Sequence, residues 1–381
     1  MESGLPPATD LTRKADESVA LLAEHAGEAD RLGRLPEAVT RRLREAGFLS
    51  LCVPRRSGGP EARFRTAFEV YAALGRGCGS SAWVAMILSG GCFMAALYGE
   101  RAREEVWGAD PRVTVCSHLT IVGTARPTEG GVVISGRWAP MSGMHQSDWA
   151  IVAVSAGEGT EDSDLALLPL SAGTIENTWQ VAGMRATGGD TLVYEEVFVP
   201  DHRVISRGKM LSGGYSGAFP DEPLYGATVI TALTLTVVAP LLGMAEAALA
   251  STLEKLGDTA KSPRRADSAT VQLAVAEAAS LIDTARLRLY RALDDVERGI
   301  ETQTQLDPPT QARAGMDAGT AARSIREAVN LLLTAVGTAG FAQTNALQRI
   351  WRDVEVAVRH ATIAPDLARE HYGRTLLGIE P

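Results

Sequence analysis

Between positions 336 and 360 the chain gathers residues whose types could do chemistry. Gly337 and Gly340 break an apolar helical run, and a polar turn follows. The next helical stretch carries Arg349, Arg352, Asp353 and His360. Glycine lets a backbone come close to a ligand, and the helix start after such a turn offers unpaired N–H groups. Histidine adds a group that exchanges a proton near neutral pH. A plain helical hairpin with charges on its surface would show the same local pattern, so the stretch has to be read in context.

Other candidates are weaker. Gly77, Gly79 and Ala82 match the spacing of a dinucleotide fingerprint, but a helical pattern precedes them and no βαβ unit surrounds them, which excludes a Rossmann reading. Cys52, Cys78, Cys92 and Cys116 show no C-x-x-C spacing, and His25, His145, His202 and His371 show none that suits a metal. The cysteines read as small buried apolar residues in a reducing compartment, and no metal site is expected.

The elements that must position the C-terminal stretch fall into an order. Residues 1–110 read as an N-terminal helical domain. Pro36 opens one helix that stops at Gly47, and Phe64, Phe68, Tyr71 and Leu74 mark another. Residues 111–205 read as a β domain. Short β-branched runs at 113–117, 132–135, 149–155, 165–170 and 192–199 are separated by turn residues, and 157–163 is an acidic loop. Residues 206–225, rich in Gly and Ser, form a connector with the makings of a lid. Residues 226–381 are helical again, with Val271, Val275, Ala278, Ile282, Ala285, Leu289 and Val296 along one bundle seam.

Composition narrows the functions. The chain has 381 residues and a net charge of −9, with basic residues dispersed, so nucleic acid is an unsuitable partner. The N-terminus lacks a basic stretch followed by an apolar one, so no export signal and a cytoplasmic location are expected. Residues 227–245 are uncharged and long enough to span a bilayer. Thr228, Thr231, Thr234, Thr236 and Pro240 within it, and Glu246 at its end, point instead to a helix buried in a bundle, so no membrane association is expected.

The order of helical unit, β unit and bundle resembles the acyl-CoA dehydrogenase fold over nearly the whole chain. Three stretches carry the resemblance: residues 134–149, with Ser142 and Gly143; residues 179–200, with Gly183, Arg185, Gly188 and Asp190; and residues 337–353. It implies an α+β, mainly α, fold with an N-terminal helical domain, a central β-barrel-like domain and a C-terminal four-helix bundle. It also implies a homotetramer or dimer, with the uncharged 227–245 helix and the long seam helix as its interface.

One departure decides between activities. Most dehydrogenases of this fold keep a glutamate shortly after the Arg-Asp pair, as the base that removes a substrate proton. Counting from Arg352 and Asp353, this chain reads His360, Ala361 and Thr362 there. That pattern is similar to the two-component (group D) flavin-dependent monooxygenases of the same fold. The resemblance implies reduced flavin as cofactor (FADH2 or FMNH2, with FAD preferred), O2, and a separate flavin reductase. The expected reaction passes through a flavin C4a-(hydro)peroxide and hydroxylates a bulky aromatic, such as a phenol, polyketide or indole-type compound, in secondary metabolism. The alternatives are N-oxygenation of an amine or amino sugar, or an acyl-CoA dehydrogenase with a displaced base.

The resemblance also assigns residues. His360 stands near flavin C4a, Ser142 near flavin N5, and His118 on the substrate side. Cys116, Ser117, Ser142, Gly143, Gly337, Gly340 and Arg352 are its flavin contacts. Ser142 also suits an ordinary turn and His118 a strand end; Trp83 and Trp138 suit an aromatic pocket lining, and the core better. Arg352 and Asp353 are expected to form an ion pair that fixes the glycine turn.

Overall fold

The computed structural model describes residues 8–155, 163–215, 221–257 and 266–379. The acidic loop expected at 157–163 lies outside them except for its last residue, as does the 216–220 part of the connector. The N-terminal helices are α1 (Ala8–Leu32), α2 (Glu37–Glu45), α3 (Phe64–Gly77), α4 (Gly79–Ala95) and α5 (Glu100–Trp107). α4 is apolar on nearly every side and almost entirely buried, as a helix packed all round must be. At Gly91 it lies so close to the sheet that a Cβ would sit 1.9 Å from the Val115 carbonyl oxygen. That contact sets the start of the first strand against the helix that carries Trp83.

Among the described residues seven strands follow: β1 (Val115–Thr128), β2 (Gly131–Trp138), β3 (Trp149–Ser155), β4 (Ser163–Pro169), β5 (Thr174–Glu176), β6 (Thr191–Pro200) and β7 (Val204–Ser206). They form one sheet in the order β5-β6-β2-β1-β3-β4-β7. β1 and β3 run parallel, and the other neighbours are antiparallel. β1 is far longer than the expected 113–117 run. Its register against β3 slips between His118 and Gly123, so a bulge follows His118, a common feature beside active sites. β5 and β7 are three residues each and carry no readable alternation.

The C-terminal part comprises α6 (Arg207–Leu211), α7 (Val229–Gly257), α8 (Ala269–Thr302), α9 (Pro308–Val336), α10 (Ala346–Ala357) and α11 (Pro365–Leu376). α6 makes part of the expected connector helical. α7 packs against α3, α4, α8 and α9, which explains its uncharged surface. It is long and apolar enough to cross a membrane, but 83% of its most apolar window is buried inside the protein. This burial also overturns the expectation that the 227–245 helix supplies an oligomer interface, because its apolar surface is already used within the chain. The exposed large apolar side chains lie elsewhere, including Leu273 and Leu287 on α8 and Leu367 and Leu376 on α11.

Candidate active site

His360 does not lie on a continuous final helix. α10 ends at Ala357, and His360 caps a short 3-10 turn, Ala361–Ile363. Pro365 opens α11 and disfavours helical geometry in the residue before it. Ala364 is accordingly extended, with φ −61° and ψ 117°. The chain therefore turns at His360 and presents its imidazole from a bend. Its Nδ1 lies 2.9 Å from Thr362 Oγ1. Its ring meets Trp83 edge-on, with centroids 5.5 Å apart and planes at 68°. Burial, and then the nearby His118, hold the His360 pKa below its ordinary value. A half-buried imidazole of this kind stays neutral near pH 7, with one nitrogen able to donate and the other to accept.

His118 comes from β1, paired opposite Val152 just before the bulge. Its Nε2 lies 3.1 Å from the Ala139 carbonyl and its Nδ1 3.3 Å from the Thr120 carbonyl. Two residues earlier, Cys116 is fully buried, and burial pushes its thiol up to about 12. Any contact it makes with a ligand is through its backbone. Ser117 and Ser142 are half-buried, and neither hydroxyl has a hydrogen-bond partner among the described residues.

The loop carrying Ser142 is held firmly. Gly143 adopts φ +77°, which favours glycine. Its N–H donates to the Thr187 carbonyl at 2.9 Å, and the Met141 N–H donates to the Asp190 carbonyl at 3.1 Å. His145 Nε2 lies 2.8 Å from Asp190 Oδ2, while the N–H groups of Thr178 and Trp179 donate to Asp190 Oδ1. Ser142 thus sits on a rigid turn, with its hydroxyl left over.

The glycine turn and the Arg-Asp pair are of another kind. Gly337 ends α9 with φ 70° and ψ −157°. Gly340 is buried, and a Cβ there would sit 2.8 Å from Leu333 Cδ1. Arg352 and Asp353 do not pair with one another. The Arg352 guanidinium grips Asp30 of α1, at 2.8 Å from Oδ2, and also donates to the Ala182 carbonyl. Asp353 is buried and accepts the Met184 N–H. Met184 has φ 53°, an unfavourable value for its side chain, and this bond helps hold it there. Burial, opposed by that bond, raises the Asp353 pKa to about 6. No hydrogen bond, ion pair or ring contact joins Gly337, Gly340 or Arg352 to His360 among the described residues.

The groups that converge are therefore His360, Trp83 and His118. Ser142 and Ser117 stand on the neighbouring β-domain segments. Trp138, by contrast, is a core residue, with its indole N–H donated to the Ala153 carbonyl at 3.0 Å. A planar cofactor with several hydrogen-bonding edges fits this lining, because the Trp83 N–H and the Ser117 and Ser142 hydroxyls are half-buried or buried and have no hydrogen-bond partner among the described residues. A cavity of about 520 Å³ lined by Arg55, Arg56, Arg63, Asp221 and Glu222 shares no residue with the site. Arg56 and Arg103 already neutralise Glu222 there. Among the described residues, no three His, Cys, Asp or Glu side chains gather in a metal-binding group.

Fold and site together define a flavoenzyme of the acyl-CoA dehydrogenase fold without that fold's usual glutamate base. Residues 13–109 match the acyl-CoA dehydrogenase N-terminal domain, and residues 235–365 match the acyl-CoA dehydrogenase C-terminal domain. The chain is 30% identical to the FADH(2)-dependent resorcinol hydroxylase oxygenase component of Rhizobium sp. (strain MTP-10005), over 95% of this chain and 92% of that one. It is also 30% identical to the flavin-dependent monooxygenase oxygenase subunit HsaA of Mycobacterium tuberculosis (strain ATCC 25618 / H37Rv), over 98% and 97% of the two chains. The structure of XiaF from Streptomyces sp., in complex with FADH2 and glycerol, superposes with a TM-score of 0.93 at 31% identity, covering 98% of this chain and 96% of that one. The chain belongs to the two-component flavin-dependent monooxygenases of the acyl-CoA dehydrogenase fold, as an oxygenase component. Reduced flavin and O2 are the cofactor and oxidant of this class, and a separate flavin reductase and aromatic substrates go with it.

Proposed function

We propose that this enzyme hydroxylates a bulky aromatic substrate, of the phenol, polyketide or indole type, in secondary metabolism. FADH2 is the preferred flavin, and a C4a-(hydro)peroxide route supplies the activated oxygen. The observation that carries this reading is His360, a neutral, half-buried imidazole held at a bend where the dehydrogenases keep a carboxylate. Relatives that act on resorcinol, p-hydroxyphenylacetate and indole-3-acetate support an aromatic substrate.

The chain's own residues have distinct tasks in this proposal. His360 donates a hydrogen bond to oxygen carried by the flavin and manages its proton. Ser142 supplies a hydroxyl beside flavin N5 from its rigid turn. His118 holds the substrate hydroxyl, and backbone groups of Cys116, Ser117 and Gly143 border the ring. The packed, apolar α4 keeps water from the helical side of the centre. Gly337, Gly340 and Arg352, the last taken up by Asp30 and Ala182 within the single chain, serve the flavin from a neighbouring subunit of a homotetramer or dimer. The enzyme works in the cytoplasm, away from membranes.

Stopped-flow mixing of the enzyme–FADH2 complex with O2 tests the proposal. The wild type is expected to form a long-lived near-ultraviolet absorbing species. His360→Ala should shorten its life and lower hydroxylation by about a hundredfold, with H2O2 released instead. Absence of that species in the wild type, together with bleaching of bound oxidised flavin by an acyl-CoA, would overturn it.

A further inference from the structure

Buried tryptophans normally donate their indole N–H to an acceptor. Among the six tryptophans of this chain, Trp107 donates to Val113, Trp138 to Ala153, Trp179 to Met184 and Trp351 to Asn330. Trp149 is half-buried beneath Arg203, whose guanidinium lies 4.9 Å from its ring centroid. Trp83 fits neither description. It is only 6% exposed, and its N–H has no acceptor among the described residues.

Its surroundings rule out the obvious internal partner. The contact with His360 is edge-on between rings and includes no hydrogen bond, and the His360 Nδ1 is engaged by Thr362. Trp83 Nε1 is also absent from the buried side-chain atoms that are both sealed from solvent and unpaired. It therefore borders space that a water-sized group can reach. The side chain lies one turn into α4, with its ring against the bend at His360.

We infer that Trp83 is a ligand-binding residue whose indole N–H is reserved for an acceptor oxygen on the planar aromatic molecule bound beside His360. Two molecules bring that chemistry to this site: the flavin, through a ring carbonyl, and a phenolic substrate, through its oxygen. The assignment rests on the proposed flavin site. It adds a donor on the helical side of the site, facing the donors already placed on the β domain and at the bend.

Anaerobic titration calorimetry with FADH2, and separately with resorcinol added to the FADH2 complex, distinguishes the two sources. Trp83→Phe keeps an aromatic ring and removes the N–H. Loss of one hydrogen bond should weaken one of the two ligands by about five- to thirtyfold and leave the other nearly unchanged. A second measurement uses the wild type alone. The Trp83 indole ¹⁵N–¹H resonance should move downfield and exchange more slowly with water when the bonded ligand is added. Equal binding of both ligands by the variant, with that resonance unmoved, overturns the assignment of Trp83 and leaves the flavin proposal standing. Failure of the wild type to bind FADH2 overturns both.

Discussion

α10 separates two polar regions that look alike in composition and differ in how their bonds are used. Along α10, Arg352 is taken up by Asp30 and Ala182, and Asp353 by Met184. Glu355 is likewise taken up by Arg326 and Arg359, and among the described residues Arg349 is the one charged side chain of α10 without a bond. Beyond the C-terminal end of α10, around His360, the count runs the other way. Among the described residues Trp83, Ser142 and Ser117 lack partners, His360 is bonded at one nitrogen, and only His118 has both nitrogens against carbonyls. Within one chain, bonds closed by the fold hold the backbone in place, whereas a polar group held rigidly and left open is available to a ligand.

The closed region should break by steric crowding first. Gly183 faces α10 so closely that a Cβ would lie 2.1 Å from the Arg352 carbonyl oxygen and 2.8 Å from the Asp353 nitrogen. Backbone cannot yield as a flexible side chain can. Gly183→Ala should therefore destabilise the protein by about 3 kcal/mol, read as a lower midpoint in urea. A midpoint within error of the wild type would mean that the seam is not the rigid element described here.

Asp353 gives a smaller effect with a definite sign. Burial raises its pKa from 3.8 to about 6 in the folded protein, so the folded state holds this proton more tightly than the unfolded chain. The resulting stabilisation is complete below about pH 4 and is lost as pH rises through 6, a change of about 3 kcal/mol at most. Asp353→Asn removes the titration and can still accept the Met184 N–H. The stability difference between variant and wild type should therefore move in favour of the variant from pH 4 to pH 6.5. A difference that stays flat across that range would show the carboxyl to be ordinary.

Much of this was legible in the residues. The helix–sheet–helix order follows from the change in apolar spacing near position 110 and the return to helical spacing after the connector. The buried nature of α7 could be read from its threonines and Pro240. Pairing Arg352 with Asp353 was an error that helix geometry could have caught, because adjacent residues on a helix point to different sides. The bend at His360 was obscured because Val354, Val358 and Ala361 keep helical spacing across it. Pro365 was the available signal. The length of β1 was hidden by its bulge, where alternation fails. Trp83 could be read as either pocket lining or core, since an indole looks the same in both until the fate of its N–H is known.

The mildest prediction concerns the open region itself. His360 is held below its ordinary pKa first by burial and second by charge on His118. His118→Asn removes the second cause and keeps the first, so the His360 pKa should rise but stay below that of a free histidine. Imidazole NMR titration of the flavin-free protein reads this directly, without relying on turnover. A rise to the free value would make His118 the dominant influence, and no movement would separate the two histidines altogether. A small upward shift would place both rings in one shared environment. That is the arrangement needed if one holds the substrate oxygen while the other manages the proton of the oxygen being delivered.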